Sequence, residues 1–423
     1  MLIDFTVENF RSIKEPITLS AVAQKSKAAS SESSERRNKP DNEIAPPFVV
    51  EGWGFDLLPA LGIFGANASG KSNVLFALNC LLDYVVFGSG FVSNYGIIPF
   101  MLDGNNQNLP TRFEIRVAVH EAIYTYSLHL TKERVVYEKL DYALAATKKE
   151  RRLFQRSWNK TTNEYDWENG RYFAGPHTQL EMSVGERDTF MNLLPRLEIP
   201  VFNPFKQWIT HRIPGVGHGR EERDEVMAAI TSHQKPERLE KISDIIRLFD
   251  TGISRFEIVK SNLGGAGNTY EIWAWHKTEQ GEVKFPILLE SAGTRRLFGI
   301  ANHLLTVFDS GSLMLVDELG SNIHPNITRA IVQMFQSPRT NPKRAQLIFT
   351  SHDNTLQRNY LLRRDQIWFT QKRPDGSTEL YPLSDFKPRC ESLIDKSYLD
   401  GRYGAVPVLP DEEEFAFVTA GEC

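Results

Sequence analysis

Along the first ten residues, MLIDFTVENF, Ile3, Phe5 and Val7 alternate with polar neighbours, the period of a half-buried strand. A polar stretch from Gln24 to about Pro47 follows, rich in serine, charge and proline; it cannot bury a core and is expected to be a mobile loop. The apolar run Leu61–Phe64 ends in GANASGKS. A helical spacing then sets in at Val74, Leu75, Leu78, Leu82 and Val85, which predicts strand, glycine-rich turn and helix. Residues 111–144 read as successive strands. From about Lys148 to Asp250 the texture turns charged and helical. There PERLEKISDIIRLFD places Leu239, Ile242, Ile246 and Phe249 on one face, with Pro236 in the first turn. Strands return from Ile253, ending in two short buried ones, Leu313–Val316 and Gln346–Thr350. There is no internal repeat and no heptad run long enough for an extended coiled coil.

Composition narrows the class. At 423 residues, the chain has room for two to three units of about 150 residues each. Its 41% hydrophobic content excludes a wholly disordered protein. A net charge of −4 excludes a globally cationic nucleic-acid binder but permits a local basic groove. Cys80, Cys390 and Cys423 stand too far apart for a zinc cluster or disulfide scaffold, so a reducing cytoplasm is expected. The longest candidate membrane segment, Val74 to Phe87, is interrupted by Asn79 and Asp83, and early Asp4 and Glu8 argue against a signal peptide. A soluble cytoplasmic protein is expected, with no membrane partner.

The strongest chemical signal is Gly65-Ala66-Asn67-Ala68-Ser69-Gly70-Lys71-Ser72, which matches G-x-x-x-x-G-K-[ST]. Chance produces this pattern in roughly 1–2% of chains this long. Backbone amides of such a turn close around phosphates, the lysine neutralises them, and the serine hydroxyl ligates Mg²⁺. A P-loop needs an acidic partner on a neighbouring strand. Leu313–Val316 followed by Asp317 and Glu318 supplies it: Asp317 for the Mg²⁺ shell, Glu318 to orient or deprotonate the attacking water.

Two further features choose among P-loop classes. Ser291-Ala292-Gly293 opens a helix with apolar positions at Leu297, Ile300, Ala301, Leu304 and Phe308, presenting a hydroxyl and amides to an anion. Thr350-Ser351-His352-Asp353 sets a histidine just past a buried strand end, within reach of a γ-phosphate. Consecutive side chains diverge, so this is no hydrolytic triad.

P-loop, Ser-x-Gly helix, strand with Asp-Glu, then strand with His is the motif order of ABC-type ATPases, and the chain resembles their RecF/SMC-like branch. Phe10-Arg11-Ser12 looks like that branch's opening motif, which implies that Arg11 is directed towards nucleotide. More narrowly, VENFRS, IFGANASGKSN, SAGTRRL, VDELGSNIHP, TSHD and LDGRYGAVP resemble the RloA/AbiL-type AAA-family proteins of prokaryotic anti-phage islands. The resemblance is loose over 148–250. It implies an α/β P-loop NTPase: an ABC-type head with a mixed β-sheet core, an antiparallel β subdomain and a helical insertion. The expected division is 1–147 and 251–423 for the head and 148–250 for the mainly helical insertion.

The resemblance further implies a nucleotide site at Gly65–Asn73 and catalytic roles for Lys71, Glu318 and His352. Ser72 and Asp317 would hold Mg²⁺, and Ser291 and Gly293 would act on ATP held by a second copy in a head-to-head homodimer. Gly320-Ser321-Asn322 would line that interface. No Q-loop glutamine is assigned, since Gln107 lacks a flanking pattern. No Asp-x-Asp pair with an isolated upstream glutamate follows His352, so a nuclease domain of the OLD type is not expected and the effector is expected to be a separate protein. The leading expectation is a hydrolysing sensor or motor of a defence system. A RecF-like DNA repair ATPase and an ATP-dependent assembly switch with little turnover are the alternatives.

Basic clusters at Lys148–Arg152, Arg220–Arg223, Arg363-Arg364 and Lys372-Arg373, near Phe154, Trp158, Trp368 and Phe369, suit either a nucleic-acid surface or solvated faces. The acidic run Asp411–Glu414 before FAFV reads as a partner-docking segment or a frayed terminus.

Overall fold

The computed structural model describes residues 1–25, 46–92, 97–173, 177–193, 199–216, 221–261, 269–358, 360–387 and 393–408. Most of the serine-rich stretch (26–45), Arg220, Cys390, Cys423 and the acidic run Asp411–Glu414 lie outside the described residues.

A six-stranded sheet organises the molecule. Its order is Ile213–Val216, Leu313–Val316, Gln346–Thr350, Ala60–Gly65, Ile367–Lys372 and Thr378–Pro382; all neighbours run parallel except the last pair. The strands at 60–65, 313–316 and 346–350 are buried at every position, which is why they read as continuous apolar runs. Alternate side chains feed two cores. Leu61, Ile63, Leu313, Leu315 and Ile348 face the helix Lys71–Phe87 and the antiparallel sheet beyond it. Phe64, Met314, Val316, Leu347 and Phe349 face the helices Ala292–Ser310 and Pro325–Gln336.

The second sheet has seven antiparallel strands, in the order Glu164–Asn169, Glu150–Asn159, Val135–Leu144, Ala122–Leu130, Thr111–Val119, Leu2–Glu8 and Ile17–Ser20. Gln346 fastens the two sheets: its Oε1 accepts the Leu2 N–H at 2.6 Å, and its Nε2 donates to the Leu2 and Leu58 carbonyls at 3.1 Å each.

The strands at 150–159 and 164–169 correct the expected boundary at 147, because charged residues there serve cross-strand pairs and no helix face. Arg152 bridges Asp141 at 3.7 Å and also bonds Glu168. Arg151 lies over the Tyr172 ring. Helices in the rest of 148–250 are His177–Ser183, Phe190–Leu193, Asn203–Thr210, Glu221–Gln234 and Pro236–Leu248; in the last, Ile242 and Ile246 are buried and Leu239 and Phe249 pack against the core. A three-stranded antiparallel sheet, Ile253–Ser261, Thr269–Thr278 and Gly281–Pro286, follows.

The aromatic residues near the basic clusters are structural as well. Phe154, Trp368 and Phe369 belong to the cores, and Trp158 stacks under Arg134. The terminal motif folds onto the sheet edge: Phe369 packs against Tyr398 and Tyr403, and the Tyr381 and Tyr398 hydroxyls donate to the Tyr403 and Ala405 carbonyls. Among the described residues no helix is long and apolar enough to cross a membrane.

One buried ion pair holds the far end of the antiparallel sheet. Arg156 and Glu138 both have side chains at 0% exposure, 2.8 Å apart, and Glu138 also accepts the Tyr126 hydroxyl and the Phe190 N–H. Removing one partner strands the other charge in a dry core. Glu138→Ala is expected to cost about 3–5 kcal/mol in urea unfolding; a loss below about 1 kcal/mol would show that the pair is dispensable.

Candidate functional site

The turn between the strand Ala60–Gly65 and the helix Lys71–Phe87 curls because three residues take positive φ: Gly65 at 155°, Ala68 at 59° and Gly70 at 107°. Gly70 has a second reason to lack a side chain, since a Cβ there would sit 2.0 Å from Thr378 Oγ1. The loop is braced from beneath. Ser69 Oγ bonds Thr370 Oγ1 at 2.6 Å, Thr378 Oγ1 donates to the Ser69 carbonyl at 3.0 Å, and Asn73 Nδ2 donates to Ser12 Oγ at 2.7 Å.

Lys71, only 5% exposed, donates from Nζ to the Gly65 and Ala66 carbonyls at 2.9 Å each. Burial lowers its pKa to about 8, with the charges of Glu318 and Asp317 opposing the shift.

The carboxylates are placed by a threonine. Thr350 Oγ1 donates to Asp317 Oδ1 at 2.6 Å and accepts the Glu318 N–H at 2.7 Å, while the Thr350 carbonyl accepts the Leu319 N–H at 2.9 Å. Asp317 Oδ1 also accepts from Ser72 Oγ at 2.9 Å, which brings the helix start and the strand end together. Glu318 has φ 53°, a left-handed conformation that costs a non-glycine residue about 1–2 kcal/mol. These bonds hold it there.

Asn67, Ala68, Gly70, Lys71, Ser72, Asn73, Glu318 and His352 line one cleft of about 870 Å³. His352 stands at its rim, where partial loss of water around its ring, then the Lys71 charge, lower its pKa, so the imidazole is neutral at pH 7. Among the described residues no three His, Cys, Asp or Glu side chains cluster as a ready metal cage. The hydroxyl–carboxylate pair Ser72–Asp317 instead suits Mg²⁺, which keeps waters and takes further oxygens from phosphates.

Arg11, Ser291 and Gly293 stand apart from this lining. Arg11 has its guanidinium 3.8 Å from the Phe76 ring centroid and does not line the cleft. Exposed Ser291 caps its own helix, accepting the Thr294 N–H at 3.1 Å. A Cβ on Gly293 would lie 2.3 Å from the Asn322 carbonyl, so this glycine exists to let the helix start press on the Gly320–Asn322 turn. Neither Ser291 nor Gly293 lines its own chain's cleft. Gln107 donates to the Met101 carbonyl, away from the phosphate loop. The bracing roles of Ser12, Thr350, Thr370 and Thr378 escape the sequence, although Ser12 ends VENFRS and Thr350 opens TSHD.

A family model described as "AAA domain, putative AbiEii toxin, Type IV TA system" matches residues 61–184 and 210–358, more than half of the chain. Among solved structures the chain is similar to an Smc head bound to the C-winged helix domain of ScpA, at 12% identity and TM-score 0.47, over 92% of this chain and 99% of that one. It is also similar to an Smc head domain with an extended coiled coil bound to the C-terminal domain of ScpA from Pyrococcus furiosus, at 10% identity and TM-score 0.44, over 95% and 98%. No curated protein matches.

The lowered pKa of Lys71 has a measurable consequence. Only the ammonium form pairs with phosphate, so ATP affinity should hold up to about pH 8 and then weaken by about tenfold per pH unit. Lys71→Met should bind weakly with no such slope. Equal affinity of the wild type at pH 7 and 9.5, in a fluorescent-nucleotide titration, would contradict the charge assignment.

Proposed function

The chain belongs to this AAA-domain family, and from that premise we propose that it binds ATP with Mg²⁺, hydrolyses it, and drives a prokaryotic anti-phage module whose effector is a separate protein. The ATPase reading rests on one observation: Lys71, Ser72, Glu318 and His352 share a single cleft, with Asp317 bonded to Ser72 at its wall. The defence reading is supported by the toxin–antitoxin description of the family and by the resemblance carried by the terminal motifs.

In this reading the loop amides at Asn67–Ser72 wrap the phosphates, and Lys71 leaves the Gly65 and Ala66 carbonyls to pair with them. Ser72 and Asp317 would hold Mg²⁺, which when bound neutralises charge on the β and γ phosphates. Glu318 orients the attacking water and takes its proton, and neutral His352 hydrogen-bonds the γ-phosphate. Ser291 and Gly293 do not line their own cleft, and in this reading they serve the nucleotide of a second copy, in an ATP-dependent head-to-head homodimer. Against the DNA-repair alternative, one arginine in each of three basic clusters is held by acidic partners: Arg152 by Asp141 and Glu168, Arg363 by Asp365, Arg373 by Glu379.

Phosphate-release kinetics test the ATPase. Glu318→Gln should lower turnover by about 10²–10⁴-fold with ATP binding kept, and Lys71→Ala should lose binding. Unchanged turnover in both variants would overturn the assignment.

A further inference from the structure

The hydrogen bonds of the signature helix reach further than its cap. Arg296, one turn into the helix Ala292–Ser310, has only 4% of its surface exposed. Its Nη2 donates to the carbonyl oxygens of Asp317 at 3.0 Å and of Glu318 at 2.8 Å. These are the main-chain atoms directly behind the two carboxylates of the cleft. Glu318, in its left-handed conformation, is therefore gripped from both sides: its N–H by Thr350 and its carbonyl by Arg296.

The same helix carries three other connections. At its start, Gly293 lies against the Asn322 carbonyl, in the turn that continues from Glu318. Arg295, the next residue before Arg296, makes a two-point pair with Glu225 of the helix Glu221–Gln234, at 2.8 and 3.1 Å. Further along, Arg238 of the helix Pro236–Leu248 donates to the Asn302 side chain at 2.7 Å and to its carbonyl at 2.6 Å. Adjacent arginines thus face opposite ways, one to the helical lobe and one to the carboxylate turn. Ser291 and Glu225 are thus connected to the Glu318 carbonyl through the first turns of this helix, by way of Arg295 and Arg296.

We infer that Arg296 is a positioning residue for hydrolysis: from the signature helix it sets the main chain that aims Glu318, and so ties each chain's signature loop and helical lobe to its own carboxylates. The inference rests on the proposed hydrolysis at this cleft. It adds a route by which a partner's nucleotide at Ser291, or a protein bound to the lobe, sets the turnover rate without touching the phosphates. Arg296 touches no reacting atom. Its effect must therefore fall on the chemical step and leave nucleotide capture, which depends on Lys71 and the loop amides, unchanged.

Steady-state and single-turnover hydrolysis, read beside ATP binding and thermal unfolding, test this in full-length protein. Wild-type turnover is measured first; its absence would sink the ATPase reading and not this inference specifically. Arg296→Met is expected to lower kcat at least tenfold while KM and the binding constant stay within about threefold. Arg296→Lys, which keeps the charge but not the planar fork, should recover part of the loss. If Arg296→Met does not fold, Arg296→Lys decides alone, with a three- to tenfold loss in kcat expected at unchanged KM. Wild-type kcat in either folded variant would overturn the inference. So would loss of binding in step with turnover, since that marks a residue needed only for the fold.

Discussion

A single hydroxyl, Thr350 Oγ1, stands at the point on which the cleft depends. It donates to Asp317 and accepts from the Glu318 N–H, across two parallel strands whose ends would otherwise expose unpaired polar groups. From Asp317 the connection passes to Ser72 and the start of the helix Lys71–Phe87. Three segments remote in sequence are thereby held in one arrangement, and a strained Glu318 is kept in place. The two cores on either face of the parallel sheet supply the rigidity, and the hydroxyl supplies the register.

The chemistry lies where parallel sheets place it, at the carboxyl ends of the strands. The strands 60–65, 313–316 and 346–350 end respectively in the phosphate loop, in Asp317-Glu318 and in the residues before His352. Being buried on both faces, they bring a desolvated lysine and two carboxylates close together without exposing them broadly. The lowered pKa of Lys71 is the cost of that burial; phosphate is the ligand whose charge offsets it.

The parts of this arrangement legible in the sequence are those carried by contiguous motifs. Gly65–Ser72, Asp317-Glu318 and His352 announce themselves because each cluster is set by one strand end and the turn after it. Ser291 and Gly293 were legible as a motif, but the reason for the glycine, contact with the Asn322 carbonyl, is a matter of packing. Thr370 and Thr378 are invisible, and Ser12 shows as part of a motif without its role: each acts on the phosphate loop from a distant part of the chain, and a threonine in a strand carries no local sign of its partner. Residues 150–169 read as helical because charge usually marks a solvated helix face, whereas in the fold Arg152 and Arg156 pair across strands. Arg11 belongs to a motif, and its guanidinium lies over the Phe76 ring, a contact no local pattern announces.

In the proposed homodimer each chain supplies half of a working site, the phosphate loop and carboxylates to one nucleotide and the signature loop to the other. The most direct test is the solution mass of Glu318→Gln, by light scattering, with and without ATP and Mg²⁺. Expected are a monomer that doubles in mass when ATP is added, and a Glu318→Gln, Ser291→Arg double variant that binds ATP yet stays monomeric. A double variant that dimerises as readily, or a Glu318→Gln protein that binds ATP without changing mass, would contradict it.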